Sequence, residues 1–331
     1  MVVCATLAVP ASSGLAPTAA SAAITASRAT TATAAAVAQR PYRDRWASGA
    51  FTGAGDRRAT ADAFGRFRGR PLSVASTYLL STSWRDIATY TYEVDAYAGF
   101  PGRLSIAVPM VPRDGKATLS DVLTGKHDEA FRSFARGLVQ RGRGDSYIRL
   151  GWEFNGDWYP WAAKEPAVYK AAFRREVALL RSVAPHLVIE WDGNIGYSQE
   201  RHDPFTELYP GDDVVDVVGV DAYDVIWYHV KDDVSWRRYR TSPGGIQQWL
   251  AFARRHGKKF AVPEWGLNVH GGGDNPYYIQ KMHDFFTVNA RSLAYESYFS
   301  TAVADTRSSL MRPVLNPRAA RLYARLWGAR R

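Results

Sequence analysis

Cysteine is almost missing from this 331-residue chain; the single one, Cys4, sits among the first forty residues. Beyond that leader a disulfide framework, a thiol nucleophile and a cysteine–zinc site are excluded. The seven histidines are scattered without ligand spacing, and no glycine-rich dinucleotide or phosphate loop follows any strand-like run. No metal and no cofactor is therefore expected. Long apolar runs are lacking too. The N-terminal one is broken by Pro10, Ser12, Ser13, Gly14 and Pro17, and no other stretch is long enough to span a membrane.

Acidic residues are absent from residues 1–40, which are dominated by Ala, Thr and Ser. Met1 to Ala23 has the apolar character of a secretory signal, with an Ala-Ser-Ala cleavage pattern at Ala20-Ser21-Ala22. Export from the cell is the expectation. The basic start of a signal is missing, so a true start further upstream and a merely disordered leader remain alternatives. The remainder, 41–331, has the length of one (β/α)8 barrel. The formal net charge is +10, with Arg far exceeding Lys. This describes a solvated arginine-rich surface, or attraction to an acidic polymer such as a cell-wall polysaccharide. The basic residues do not cluster with aromatics in a nucleic-acid motif, so no nucleic-acid partner is expected. The expected assembly is a monomer.

What is present is an alternation of strand-like and helix-like segments. Strands are expected at 50–53, 72–79, 104–111, 147–150, 187–191, 214–220, 260–262 and 295–299. Several are β-rich without clean alternation, as in strands covered on both faces. The clearest helix runs from Pro166 to Val183, with Tyr169, Phe173, Val177 and Leu180 on one face. Another spans Ile246 to His256 and stops at Gly257. Two more start at Asn275-Pro276 and Asn316-Pro317. Eight strand–helix units fit a single closed α/β (TIM) barrel better than an open sheet.

Active sites of such barrels lie at the C-terminal ends of the strands. Glu153 follows the fourth strand, in Ile148-Arg-Leu-Gly-Trp-Glu-Phe-Asn-Gly-Asp-Trp-Tyr-Pro-Trp161, and Glu264 ends the seventh. Two carboxyls on facing strand ends are what glycoside hydrolysis needs, one as a neutral acid and one as an ionised nucleophile. Strand alternation places Arg149, Gly151 and Glu153 on one face, and Phe260, Val262 and Glu264 on another. Gly151 would leave room beside Glu153, and Arg149 would lie beneath the pair and hold a neighbouring carboxylate ionised. The nearby tryptophans suit a sugar cleft, because apolar sugar faces stack on flat rings.

The segment Arg149-x-x-x-Glu153-x-Asn155-Gly156-x-Trp158-Tyr159-x-Trp161 resembles the acid/base signature of glycoside hydrolase family 26. Val262-Pro-Glu264-Trp265-Gly266 resembles its nucleophile segment, and Val218-Gly-Val-Asp-Ala-Tyr223-Asp224 its sixth strand. The resemblance spans roughly residues 45 to 330, with its specific evidence in these three motifs. It implies a retaining (β/α)8 hydrolase with Glu153 as acid/base and Glu264 as nucleophile. It also implies Tyr223 as a hydroxyl donor to Glu264, and Trp158 and Trp161 as sugar platforms. One departure concerns specificity. The family commonly has His immediately before the acid/base, and this chain has Trp152, which bears on the usual β-1,4-mannan specificity more than on hydrolysis.

Further candidates are Trp191 as a platform and Asp192 as a hydroxyl acceptor after strand five, beside Asn194, against a core Trp in a capping loop. Trp84 after strand two is another, with Ser83 or Thr82 equally good as a helix cap. Trp265 either lines the cleft or packs behind it. The segment 224–242, with Trp227, Tyr228, His229, Trp236 and Tyr239, could form a cleft wall. His270 and Gly271 to Gly273 read as a surface loop or a lid. Asp212, Asp213 and Asp216 read as solvated charge rather than a calcium site. The expected function is a secreted endo-acting glycosidase on a β-linked polysaccharide, mannan first, with xylan, β-glucan or a bacterial wall polysaccharide behind it. The alternatives are a carbohydrate-binding protein on an inactive hydrolase scaffold, and a transglycosylase.

Overall fold

The computed structural model describes residues 46–328, apart from 54, 56, 80, 90–91, 197–201, 226–228, 269 and 304–305. The leader with Cys4, and Trp227 and Tyr228, lie outside the described residues. Eight parallel strands close into a barrel in sequence order: β1 (Ala47–Phe51), β2 (Val74–Tyr78), β3 (Arg103–Val108), β4 (Tyr147–Leu150), β5 (Val188–Asn194), β6 (Val217–Tyr223), β7 (Lys259–Gly266) and β8 (Leu293–Phe299). The ring closes through β1 and β8, paired from Ala47↔Tyr295 to Phe51↔Phe299. The fold is the expected (β/α)8 barrel.

The helices form where the apolar stripe and the end signals agree. Pro166–Val183 begins with Pro at its first turn and buries Tyr169, Phe173, Val177 and Leu180. Ile246–Arg255 stops before Gly257, whose φ of 64° is the left-handed geometry that ends helices. Pro276–Asn289 is capped by Asn275, whose side chain accepts from Tyr278 N–H at 3.2 Å.

The strands differ from expectation mainly at their C-terminal ends. β5, β6 and β7 run on to Asn194, Tyr223 and Gly266, past the apolar runs that mark them in sequence. Their inward positions there are polar because they line the mouth. The interior is layered. Val74, Tyr147, Val217, Ala261 and Tyr295 pack together at one level. Next to them lies a polar level: Ser76 donates to Ser297 at 2.7 Å, and the Tyr295 hydroxyl, 2.7 Å from Ser105, donates to Glu190 at 2.7 Å. Outward residues such as Ile148, Leu150, Phe260 and Val262 join the core under the helices.

Phe260 and Val262 thus do not share a face with Glu264. Ala261 points inward, and the register slips between Ala261 and Trp265 against β6 and between Val262 and Trp265 against β8, so β7 carries one extra residue there. That bulge reverses the alternation and turns Glu264 into the mouth. Pro263 sits within it, where the N–H that proline lacks is not needed for the ladder.

Candidate active site

Arg149 anchors the site. Its side chain is fully buried, and its Nε donates to Asp192 Oδ2 at 2.7 Å, while its terminal nitrogens donate to Asp221 Oδ2 at 2.6 Å and to the Tyr78 hydroxyl at 2.9 Å. One terminal nitrogen also lies 3.5 Å from Glu264 Oε2. Burial works against the guanidinium's charge, and the Asp192 and Asp221 carboxylates outweigh it. Burial pushes both partners upward even against Arg149, Asp192 to about 6 and Asp221 well above the usual carboxylate range. Gly219 makes room for this crowding, since a Cβ there would meet Glu190 Oε1 at 2.3 Å and Asp192 Oδ1 at 2.9 Å.

Glu264 accepts from two phenols. Tyr223 donates to Oε1 at 2.5 Å, and Tyr78 donates to Oε2. Burial, followed by the Glu264 charge, pushes both phenols well above their ordinary range, so both remain neutral donors. A relay therefore runs from the Arg149 guanidinium through the Tyr78 hydroxyl to Glu264.

Glu153 is reached differently from the strand alternation expected for it. β4 ends at Leu150, and the chain then turns through Gly151 at φ 58° and Glu153 at φ 52°. The space at Gly151 is taken by Met110, whose Sδ would lie 2.6 Å from a Cβ, so this glycine serves the turn and its packing rather than leaving a gap. A left-handed glutamate is strained, and strain of this kind gathers at functional sites. Two backbone bonds hold it: Glu153 N–H donates to Asp192 O at 2.8 Å, and its carbonyl accepts from Gly156 N–H at 2.9 Å. The carboxyl accepts from Trp158 Nε1 at 2.8 Å and from the Asn194 amide. Burial first, and the Glu264 charge second, push its pKa up to about 8, against the pull of those two donors.

Asn155 stands behind this arrangement. Its amide donates to Asn194 O at 2.8 Å and its Oδ1 accepts from Asn194 N–H at 2.7 Å, which clamps the β4 loop to the end of β5. Trp152 is buried and donates to the Tyr159 hydroxyl at 3.0 Å, with its ring edge-on to Tyr78 at 5.8 Å. The structure thus brings together Glu153, Glu264, Arg149, Asp192, Tyr223 and Trp158, with Asn155 and Trp152 directly behind.

Four tryptophans are placed elsewhere. Trp161 has no exposed surface, donates to Trp152 O at 2.8 Å and is covered by Tyr159, so it offers no face to a sugar. Trp191, likewise unexposed, points outward among Phe154, Tyr209, Trp249 and Phe252. Trp265 packs behind the site and donates to Glu296 at 2.6 Å. For Trp191 and Trp265 the strand parity that turns the neighbouring acid, Asp192 or Glu264, inward turns the indole toward the helices. Trp84 is half-buried and stacks on His127 at 4.1 Å, away from the acid pair, while Ser83 Oγ accepts from Asp86 N–H at 3.1 Å as a cap.

In the 224–242 segment, Trp236 and Tyr239 belong to a helix, Asp233–Thr241, and pack toward Phe285 and Tyr278 rather than forming a cleft wall. The Gly271–Gly273 loop is tied to Asp224, whose Oδ2 accepts from Gly272 N–H at 3.2 Å and from the Asn275 amide at 2.6 Å. Asp213 and Asp216 are paired with Arg174 and Arg181. Tyr78 and Asp221 were missing from the sequence-derived set of site residues, and Asn194, named beside Asp192, was given no role. Tyr78 shares strand parity with inward Val74 and Ser76, and Asp221 lies two residues before Tyr223, so alternation could have found both.

A parallel eightfold barrel with two glutamates converging at its C-terminal mouth is a scaffold for carboxylate chemistry on a solvent-borne substrate. The sequence model of glycosyl hydrolase family 26 matches residues 146–237, the stretch from β4 through β6. Endoglucanase H of Acetivibrio thermocellus is 31% identical over 111 residues, which are 31% of this chain and 12% of that protein's length. The catalytic domain of a family 26 endo-β-1,4-mannanase from Bacillus sp. JAMB-750 superposes with a TM-score of 0.62 at 16% identity, covering 86% of this chain and 87% of that one. A modular endo-β-1,4-mannanase from Cellulomonas fimi gives 0.56 at 18% identity, over 75% and 63% of the two chains. At these identities the structural likeness concerns the fold. The chain resembles glycosyl hydrolase family 26 in sequence from β4 to β6 and in fold around the barrel.

Proposed function

We propose that this protein is a glycoside hydrolase that cleaves a β-linked polysaccharide internally and with retention, mannan-type chains being the first candidates. The carrying observation is the division of labour between two mouth glutamates. Glu153 is driven toward its neutral form by burial and by the charge of Glu264. Glu264 is an acceptor for two phenol hydroxyls beside a guanidinium. In this reading Glu264 attacks the anomeric carbon while Glu153 protonates the leaving glycosidic oxygen. Glu153 then deprotonates the water that releases the sugar. Arg149, Tyr78 and Tyr223 orient Glu264, and Trp158 and Asn194 orient Glu153. The mannanases of like fold and the family match support mannan; Trp152 beside Tyr78 is where a different sugar preference would enter. The signal-like leader supports action outside the cell.

The test is oligosaccharide release from mannans, xylans, β-glucans and bacterial wall polysaccharides, by the parent and by Glu264→Ala in parallel. Release by the parent alone is expected. Equal binding by both proteins without release from any polymer would favour a carbohydrate-binding protein instead.

A further inference from the structure

Several arginines on the outside of the barrel are held in ion pairs: Arg141 with Asp95, Arg174 with Asp213, Arg175 with Asp128, Arg181 with Asp216. Arg113, in the loop after β3, differs. Its guanidinium lies over the Tyr159 ring at 5.5 Å and makes no ion pair among the described residues. The adjacent carboxylate, Asp114, is committed to its own turn, accepting from Lys116 N–H at 2.8 Å and Ala117 N–H at 2.9 Å. Exposed Lys116 adds a second cation to the same turn.

The position matters as much as the charge. Contacts run outward from the candidate nucleophile without a break. Tyr78 is hydrogen-bonded to Glu264, Trp152 is edge-on to Tyr78, Tyr159 accepts from Trp152, and Arg113 covers Tyr159. On the other side Arg113 N–H donates to Ser81 O at 2.9 Å, which sets it beside the segment carrying Trp84. Arg113 is half-buried in the loop that follows the C-terminal end of β3, the mouth end of the barrel, with its guanidinium resting on the Tyr159 ring. A guanidinium preset on an aromatic face, without an acidic partner, is suited to bidentate recognition of a planar or tetrahedral anion. Three rings, those of Tyr78, Trp152 and Tyr159, separate it from Glu264, so an anion held there belongs to a neighbouring sugar and stays clear of the acid-rich centre.

We propose that Arg113 is a specificity residue of a subsite between these loops, and that the glycan cleaved here carries an anionic substituent, a uronic carboxylate or a sulfate ester, on the sugar lying there. This rests on the glycoside-hydrolase reading above. The net charge of +10 fits approach to such a polymer.

The test uses the full chain and matched β-1,4-linked manno-, gluco- and xylo-oligosaccharides, each plain, uronic-acid-bearing or sulfated. The quantity read is the ratio of kcat/KM on decorated over plain substrate. A preference of about tenfold is expected for the parent, weakening with added salt. It should be largely lost in Arg113→Gln and partly retained in Arg113→Lys. The decoration that gives the larger ratio identifies the anion. Equal turnover of plain and decorated substrates by the parent, or an unchanged ratio in Arg113→Gln, would overturn the subsite while leaving the hydrolase reading intact. Absence of cleavage and binding across every plain and decorated substrate would overturn the hydrolase reading itself, and the subsite with it.

Discussion

Glu153 should make the protein less stable as pH rises, and Glu153→Gln should remove that dependence. The carboxyl is moved from 4.5 to about 8 in the folded protein by burial and by the Glu264 charge. Its folded pKa lies above its unfolded one, so the native state holds the extra proton between these values. The stabilisation is therefore complete below pH 4.5, declines through the window, and is gone above about pH 8. At about 1.4 kcal/mol per unit the full shift corresponds to roughly 5 kcal/mol. Glutamine is neutral throughout. Its NH2 must, however, face either Trp158 Nε1 or the Asn194 amide, both donors, at a pH-independent cost of about 1–3 kcal/mol. Glu153→Gln is thus expected to melt below the parent at pH 4 and above it at pH 9. Near 2 °C per kcal/mol for a chain of this size, the difference in Tm should swing by roughly 5–10 °C across the range. Thermal unfolding of both proteins from pH 4 to 9 measures this, and subtracting the curves cancels the other buried acids. Parallel profiles would refute the placement of Glu153 as a buried, neutralised acid.

Arg149→Met should destabilise the protein by about 3–5 kcal/mol in urea unfolding, because it leaves Asp192 and Asp221 buried without their cation. Tyr78→Phe and Tyr223→Phe should each lower kcat about tenfold to a hundredfold with little change in KM, by removing a donor to Glu264. The alkaline limb of kcat/KM should fall near pH 8, and Asn194→Ala should move it upward, since that amide favours the ionised form of Glu153. Trp191→Ala should lower stability by about 3–5 kcal/mol and leave KM unchanged, as a core indole rather than a platform.

The barrel was legible because its apolar strands and amphipathic helices follow their periods. Pro166–Val183 was readable to the residue, since proline, stripe and length agree. The strand ends at the mouth were not, because Asp192, Asn194, Asp221 and Glu264 break the apolar runs where the site is built. Glu153 and Glu264 could be read as a pair, but not how each is aimed. One depends on a left-handed turn and the other on a bulge, and neither changes residue composition. The tryptophans misled for a related reason. An indole suits a sugar or a core equally well, and Trp161, Trp191 and Trp265 are separated from Trp158 only by burial.

The most direct test of the central claim is the anomeric configuration of the first product, followed by proton NMR during cleavage of the best polysaccharide from the panel. Two glutamates acting by double displacement predict that the newly formed reducing end appears first with the substrate's β configuration and only later mutarotates. First appearance of the α anomer would contradict Glu264 as a nucleophile and require a water between the two carboxyls.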